Sequence, residues 1–148
     1  MKRLIIYVIC LVALVSTDES LHAQAKTITY KKLDLYFYGK AILLNSSFYL
    51  NNISNRGNDL YFLAIAKLEK NDSLLVDIKN KDIFYLGMGI TTGDTSYLEK
   101  ILDKDWYYYG KAQIKKNEKF LKYIQRIDIY NLGVAIMRED LNFLEELN

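Results

Sequence analysis

The chain has almost no cysteine or histidine, two residue types on which many nucleophilic and metal enzymes depend. It contains one cysteine, Cys10, and one histidine, His22, and both lie in the first 25 residues. Beyond that segment a Ser-His-Asp or Cys-His catalytic group is excluded, because its base or its nucleophile is missing. Zinc sites built from Cys and His are excluded for the same reason, as are the usual haem and iron–sulfur sites. We therefore expect no metal site, no cofactor, no catalytic residue and no disulfide in residues 26–148.

Proline is also absent, and neither sign of charge dominates. The chain has 20 Lys and Arg against 18 Asp and Glu, which gives a net charge of +2. A protein dedicated to nucleic acid usually shows a strongly basic face, so we expect no nucleic-acid partner. No Gly/Ser-rich or low-complexity stretch divides the chain. The composition therefore predicts a single domain.

The N-terminus has the three parts of a secretory signal peptide. Lys2 and Arg3 precede an apolar run over 4–15, and a polar stretch then leads to Ala23-Gln24-Ala25. The apolar run is shorter than the roughly 20 residues that cross a bilayer. We expect residues 1–25 to be a signal peptide cleaved near Ala25. The remaining single helical-repeat domain, residues 26–148, would then be secreted or periplasmic, with no membrane span.

The rest of the chain is a repeat with a period of about 23 residues. Each copy opens with an aspartate, at Asp34, Asp59, Asp82, Asp105 and Asp128. The segments that follow read DLYFYGKAI, DLYFLAIAK, DIFYLGMGI, DWYYYGKAQ and DIYNLGVAI. Such self-similarity predicts a stacked array, because no single unit can bury its apolar face alone.

Small residues hold two fixed places in every copy. Five residues after the aspartate stand Gly39, Ala64, Gly87, Gly110 and Gly133. Seven residues after it stand Ala41, Ala66, Gly89, Ala112 and Ala135. These two positions lie about 200° apart on a helix. A helix packed between two neighbours needs small residues on both flanks, so the pattern favours a stacked helix.

The period predicts an all-α fold, a short α-solenoid of about five helix–turn–helix repeats. In this interpretation the aspartate is the N-cap of the first helix, since its carboxylate can accept from free N–H groups. Apolar residues at i, i+1 and i+4 after a polar break predict a second, short amphipathic helix. The alternative is an α/β strand–helix repeat, because tyrosine-rich segments favour strands and glycine disfavours helix. Five short units also leave open dimerisation through an exposed end.

Several copies resemble the tetratricopeptide family of paired-helix repeats. Tyr130-Asn131-Leu132-Gly133-Val134-Ala135 followed by Glu139-Asp140 is similar to the first helix and turn of that motif. Segments 85–89 and 109–112 are similar in the same way. This sequence departs from the family in its period, which is near 23 rather than 34 residues. The resemblance implies a concave surface lined by first-helix residues, and hence a protein or peptide partner.

An aromatic column is the candidate partner-binding surface. The aromatic residues two places after each aspartate form it, and two lysines one helical turn further on would add charge: Tyr36, Tyr61, Phe84, Tyr107, Tyr130, Lys40 and Lys111. Tyrosine suits an interface because it combines a large apolar area with a polar tip. The alternative is that the column is core between units. A basic cluster in the fourth copy is either a docking site for an acidic partner or a solvated face: Lys111, Lys115, Lys116, Lys119, Lys122 and Arg126.

The leading functional hypothesis is a secreted or periplasmic repeat protein, not an enzyme, that binds a protein or peptide partner through a stacked-helix surface. A structural or inhibitory role would look the same in the sequence. The alternative from another class is a carboxylate-only hydrolase acting on an envelope or extracellular glycan. It needs two carboxylates in one pocket, and the candidates for them are Glu99, Asp103 and Glu139.

Overall fold

A computed structural model describes residues 29–54 and 58–148. The expected signal peptide lies outside these residues. Within them the chain forms α-helices and 3₁₀ helices and no strand. The α-helices are α1 (Lys32–Leu43), α2 (Asp59–Glu69), α3 (Lys81–Thr92), α4 (Lys104–Lys115), α5 (Ile127–Arg138) and α6 (Asn142–Glu145). The 3₁₀ helices are η1 (Ser47–Asn52), η2 (Asp72–Asp77), η3 (Thr95–Lys100) and η4 (Glu118–Tyr123).

These elements confirm the all-α fold of five helical repeats and exclude the strand–helix alternative for the described residues. Units one to five each begin with one of the helices α1–α5 and continue with the short helix that follows it. The predicted short second helix is present in every unit, and the structure defines its type. In units one to four it is a six-residue 3₁₀ helix, and in unit five it is one α-helical turn. A six-residue 3₁₀ helix rises about 12 Å and so returns most of the chain along the long helix in few residues.

Every long helix ends in the same way, eleven residues after the repeat's aspartate. The residue there has positive φ, and in four of the five units it is not glycine: Asn45 (φ 47°), Lys70 (52°), Gly93 (75°), Lys116 (49°) and Glu139 (55°). In the four units without glycine, the next N–H bonds back to a helix carbonyl, as Asn71 N does to Ala66 O at 3.0 Å, whereas in unit three Asp94 N bonds to Thr92 Oγ1. This is the left-handed C-terminal cap that glycine usually provides, since a Cβ is strained there.

Lys70→Gly is expected to stabilise the protein by about 0.5–1 kcal/mol, because glycine relieves the left-handed strain at an exposed position. The reciprocal change, Gly93→Ala, is expected to cost about 1 kcal/mol for the same reason. Urea unfolding of both variants measures the two effects. Equal stability of the two variants would contradict this account of the cap.

The repeated aspartates are not the N-caps that the sequence predicts. The N-cap residues are Lys31, Asn58, Asn80, Asp103 and Arg126, and each aspartate instead lies in the first turn of its helix. In units two, three and four its carboxylate accepts from two backbone N–H groups that open the next unit. Asp59, for example, accepts from Lys79 N at 2.9 Å and from Asn80 N at 3.0 Å. Asp82 and Asp105 make the corresponding pairs of bonds, Asp34 accepts from Ser54 N, and Asp128 accepts from Ile129 N of its own helix. The first-turn position still suits an acid, because the helix end is positive.

These bonds make consecutive long helices parallel. The N-terminus of one helix is tied to the N-terminus of the next. The segment between two long helices must therefore return along the outside of the array. The 3₁₀ helices do this, each packing against its own long helix and the following one. The leucine of η2, η3 and η4 contacts the glycine of the following helix. A Cβ built on Gly110 would lie 2.9 Å from Leu98 Cδ2, and one on Gly133 would lie 2.7 Å from Leu121 Cδ2.

The array closes into a ring, since the same contacts join unit five to unit one. Helix α1 packs against α5 as it packs against α2. A Cβ on Gly39 would lie 2.7 Å from Leu144 Cδ2, which repeats the leucine–glycine contact. Tyr36 Oη donates to Glu145 Oε1 at 3.2 Å, just as Tyr107 Oη donates to Glu99 of the preceding unit at 3.4 Å. The fold is therefore a solenoid of five repeats without open ends.

Side chains from all five long helices fill the axis of the ring in three layers. The first layer is fully buried and contains Leu35, Leu60, Ile83, Trp106 and Ile129. The second is also fully buried and contains Tyr38, Leu63, Leu86, Tyr109 and Leu132. The third, near the helix C-termini, is half-buried and contains Ile42, Lys67, Ile90, Gln113 and Ile136. Large aromatic rings in units one and four close the centre, with the hydroxyls of Tyr38 and Tyr109 3.4 Å apart.

Candidate binding surfaces

The predicted aromatic column lies on the first turns of the five long helices and combines features of core and surface. Tyr36 is buried, whereas Tyr61, Phe84, Tyr107 and Tyr130 are half-buried and pack against the core. In units one to four the neighbouring aromatic residue meets the column ring edge to face, with centroids 5.1–5.5 Å apart. The column is therefore anchored to the core along its whole length, and four of its rings keep part of their surface accessible.

The two predicted lysines each join the column residue of their own helix. Lys40 Nζ donates to Tyr36 Oη at 2.9 Å and lies 5.1–5.2 Å from the centroids of Tyr36 and Tyr49. Lys111 Nζ donates to Tyr107 Oη at the same distance. Ammonium groups over aromatic faces are attracted by the ring quadrupole. The structure thus brings together the column and lysine candidates of units one and four, on two separate parts of the ring.

The outer side of unit four combines this pair with the predicted basic cluster. Lys115, Lys116, Lys119 and Lys122 are exposed. The acids near them have other partners. Glu118 pairs with Arg138, and that guanidinium lowers the pKa of the Glu118 carboxyl. Arg126, which the sequence groups with the cluster, instead pairs with Asp103 and Asp105 at 2.8 and 2.7 Å. Unit four therefore presents lysines whose local carboxylates are already engaged.

Aromatic surface accompanies these charges. Tyr123, at the end of η4, is 50% exposed and stacks on Tyr108 with centroids 4.9 Å apart. Lys122 Nζ lies 4.9 Å from the Tyr123 ring centroid, and Lys111 Nζ lies 5.2 Å from that of Phe120. We refer to Tyr107, Tyr108, Tyr123, Lys111, Lys119 and Lys122 as the unit-four face.

A second polar site lies inside the ring, and sequence reasoning missed it. Lys67 Nζ donates to Gln113 Oε1 at 2.5 Å across the axis, between the non-adjacent units two and four. Burial lowers the pKa of Lys67 to about 8. The signal was present in the repeat itself, because the equivalent residue in the other three units is isoleucine. This repeat position is isoleucine in three units, but it is lysine in unit two and glutamine in unit four. Departures of this kind from a repeat pattern tend to mark functional sites.

A cavity of about 330 Å³ opens next to this pair at the C-terminal ends of α2, α3 and α4. Its walls are Lys67, Ile90, Gly93, Gln113, Ile114 and Lys116. Cavities of about 300–1,000 Å³ are typical of sites for small molecules. We refer to this cavity as the axial pocket.

The carboxylates of the hydrolase hypothesis occupy three different places in the repeat. Glu99 lies on the outer helix η3, and Glu139 follows the C-terminus of α5. Asp103 caps the N-terminus of α4 and pairs with Arg126. The structure does not bring these three side chains together. Over the ranges 29–54 and 58–148, no group of three or more His, Cys, Asp or Glu side chains is placed to hold a metal ion.

No protein-family model, no curated protein and no solved structure matches this chain. Within the part of the chain that the structure describes, no helix has the length and apolar character needed to cross a membrane. The class of the protein is therefore defined by its fold, an all-helical ring of five short repeats, and by its two candidate surfaces.

Proposed function

We propose that this protein is a binding protein that holds an acidic segment of a protein or peptide partner against the unit-four face. The observation that carries the proposal is the engagement of the acids around this face, Glu118 by Arg138 and the two aspartates by Arg126. The exposed lysines beside Tyr123 can therefore meet carboxylates of a partner without first losing local ion pairs. We also propose, as the N-terminal sequence predicts, that binding takes place outside the cytoplasm.

The aromatic rings would supply most of the affinity in this proposal. Tyr107 and Tyr108 are fixed to the core, so they lose little conformational entropy when a partner covers them. Tyr123 exposes half of its surface while its ring is already held by stacking. Tyrosine is enriched among the residues that dominate binding energies. The lysines would mainly accelerate association and select an acidic partner, effects that weaken as salt is added.

The unit-one pair is a weaker candidate for the same role. Tyr36 is 6% exposed, so its ring offers little area to a partner. Its hydroxyl donates to Glu145 beside Lys40, as the Tyr107 hydroxyl donates to Glu99 beside Lys111, so this contact does not separate the two pairs. The unit-four face has both more exposed ring surface and more exposed lysines.

Affinity capture from the native compartment tests the proposal with two charge-matched variants. Lys119→Glu, Lys122→Glu reverses two charges on the unit-four face, and Lys79→Glu, Lys81→Glu reverses two exposed charges away from it. We expect one partner, acidic in the captured segment, to be held by the unmodified chain and by the second variant, and to be lost by the first. Raising the salt concentration should release it.

Circular dichroism of both variants confirms that each is folded before capture. Equal retention of the partner by both variants would contradict the unit-four face as the site. A captured partner whose affinity does not fall as salt is added would contradict the acidic-partner assignment.

A further inference from the structure

The axial pocket is positively charged and is not part of the unit-four face. Two of its six wall residues are lysines, Lys67 and Lys116, and none of the six is acidic. The rest of its lining is apolar or neutral, with Ile90 and Ile114 as the largest apolar side chains. A pocket with this lining is complementary to a small molecule that carries one negative charge and a short hydrocarbon part.

The polar groups at its base are incompletely paired by the protein. Lys67 has a neutral amide oxygen as its hydrogen-bond acceptor, so its positive charge is not balanced by a carboxylate there. The Nε2 group of Gln113 is buried beside the Tyr109 hydroxyl and makes no hydrogen bond of good geometry to the described residues. Half-satisfied buried networks are destabilising, and they are kept where a function requires them. Isoleucine at positions 67 and 113 would match the rest of the third axial layer and would leave no half-satisfied polar group there.

We propose that the axial pocket binds a small aliphatic carboxylate. The carboxylate oxygens accept hydrogen bonds from Lys67 Nζ at the base and from Lys116 Nζ at the mouth, and the hydrocarbon chain lies against Ile90 and Ile114. Charge-assisted hydrogen bonds of this kind are roughly twice as strong as hydrogen bonds between neutral groups. The ligand would also replace Gln113 as the acceptor for Lys67, which leaves that amide able to turn toward the bound anion.

Hexanoate and its uncharged analogue hexanamide are suitable probes for isothermal titration calorimetry of the full chain. We expect saturable hexanoate binding, and at least tenfold weaker binding of hexanamide, because the amide cannot form the charged pair. Lys67→Met should weaken hexanoate binding at least tenfold. Lys100→Met, which removes one lysine from the outer helix η3, should leave it unchanged.

The pH dependence supplies a second readout. The carboxylate needs Lys67 protonated, and burial places the pKa of Lys67 at about 8. The competent fraction, and so the affinity, should fall about tenfold between about pH 7 and about pH 9. The residues that line the pocket with Lys67 are Ile90, Gly93, Gln113, Ile114 and Lys116, and Lys116 is the one charged group among them. Tyr38 and Tyr109, in the layer below, remain neutral over this range, since burial raises the pKa of Tyr38 to about 12 and raises the pKa of Tyr109 well above its usual value.

Lys116→Met separates the contributions of the two lysines to hexanoate binding. It should weaken hexanoate binding but keep the fall between about pH 7 and about pH 9, because that fall belongs to Lys67. Lys67→Met should fold at least as stably as the unmodified chain, since it removes a buried cation. Absence of saturable hexanoate binding would overturn the proposal. So would equal binding of hexanoate and hexanamide, or binding that Lys67→Met leaves unchanged.

Discussion

Leu144→Ala is expected to lower the free energy of unfolding by about 2–5 kcal/mol, the usual cost of truncating a fully buried leucine. Leu144 lies in a helix of four residues in unit five, where a truncation in an open array would cost much less. In the ring it is fully buried and packs against Gly39 of unit one. Urea unfolding followed by the fluorescence of the single tryptophan, Trp106, measures the loss.

Leu98→Ala is the matched control, because Leu98 holds the same place between units three and four. We expect the two alanine variants to lose similar amounts of stability. Gly39→Ala provides a double-mutant cycle, since the cavity left by Leu144→Ala can accept the new methyl group. The two changes together should then cost less than the sum of the single changes. A Leu144→Ala loss below half that of Leu98→Ala, with no coupling to Gly39, would contradict contact between units one and five.

Trp106→Ala is expected to cost about 3–5 kcal/mol. Trp106 is 1% exposed, fills the first axial layer, and meets Tyr109 and Tyr30 edge to face at 5.3 and 6.0 Å. The equivalent residue in the other four units is Leu or Ile. Five aliphatic side chains would leave space on the axis of the ring, and the indole of Trp106 fills it. Removing it opens a cavity that rigid neighbouring helices cannot collapse.

Trp106→Phe separates packing from hydrogen bonding in this prediction. Trp106 Nε1 is buried with no hydrogen-bond partner in the described part of the chain, so phenylalanine removes an unsatisfied donor while keeping a ring. We expect its loss of stability to be well below that of Trp106→Ala. Urea unfolding followed by circular dichroism measures both, since the fluorophore is removed. Losses of equal size for the two variants would show that the volume of the ring is not what stabilises the axis.

The helical repeat could be predicted because its signals are local. The small residues at offsets five and seven fit a helix packed on both flanks, and Gly110 and Gly133 do receive leucines from the preceding unit. Closure of the ring could not be predicted, because it depends on a small rotation between units that no single residue encodes. The sequence predicts each aspartate to cap its own helix, because a capping aspartate and one that bonds to the next unit look the same in a sequence. Asp59 differs from a cap only through partners 20 and 21 residues away.

The candidate sites could likewise be predicted from the sequence only where their signals are local. The aromatic column and the two lysines were found from their regular spacing, and the structure joins Lys111 to Tyr107 as that spacing suggests. The axial pocket was missed because its residues, Lys67 and Gln113, lie 46 positions apart and meet only across the closed axis. Comparing each repeat position across all five units would have found them, since both interrupt a column of isoleucines.

The distance between units one and five tests the closed ring most directly. In a Cys10→Ser background, spin labels at Phe48→Cys and Asn142→Cys occupy equivalent exposed positions of units one and five. Labels at Lys119→Cys and Asn142→Cys give the reference distance between adjacent units. The ring predicts that electron–electron dipolar spectroscopy finds the same distance for both pairs. An open array would separate units one and five by four interhelical steps, about 32–40 Å, and a first distance of that size would contradict closure.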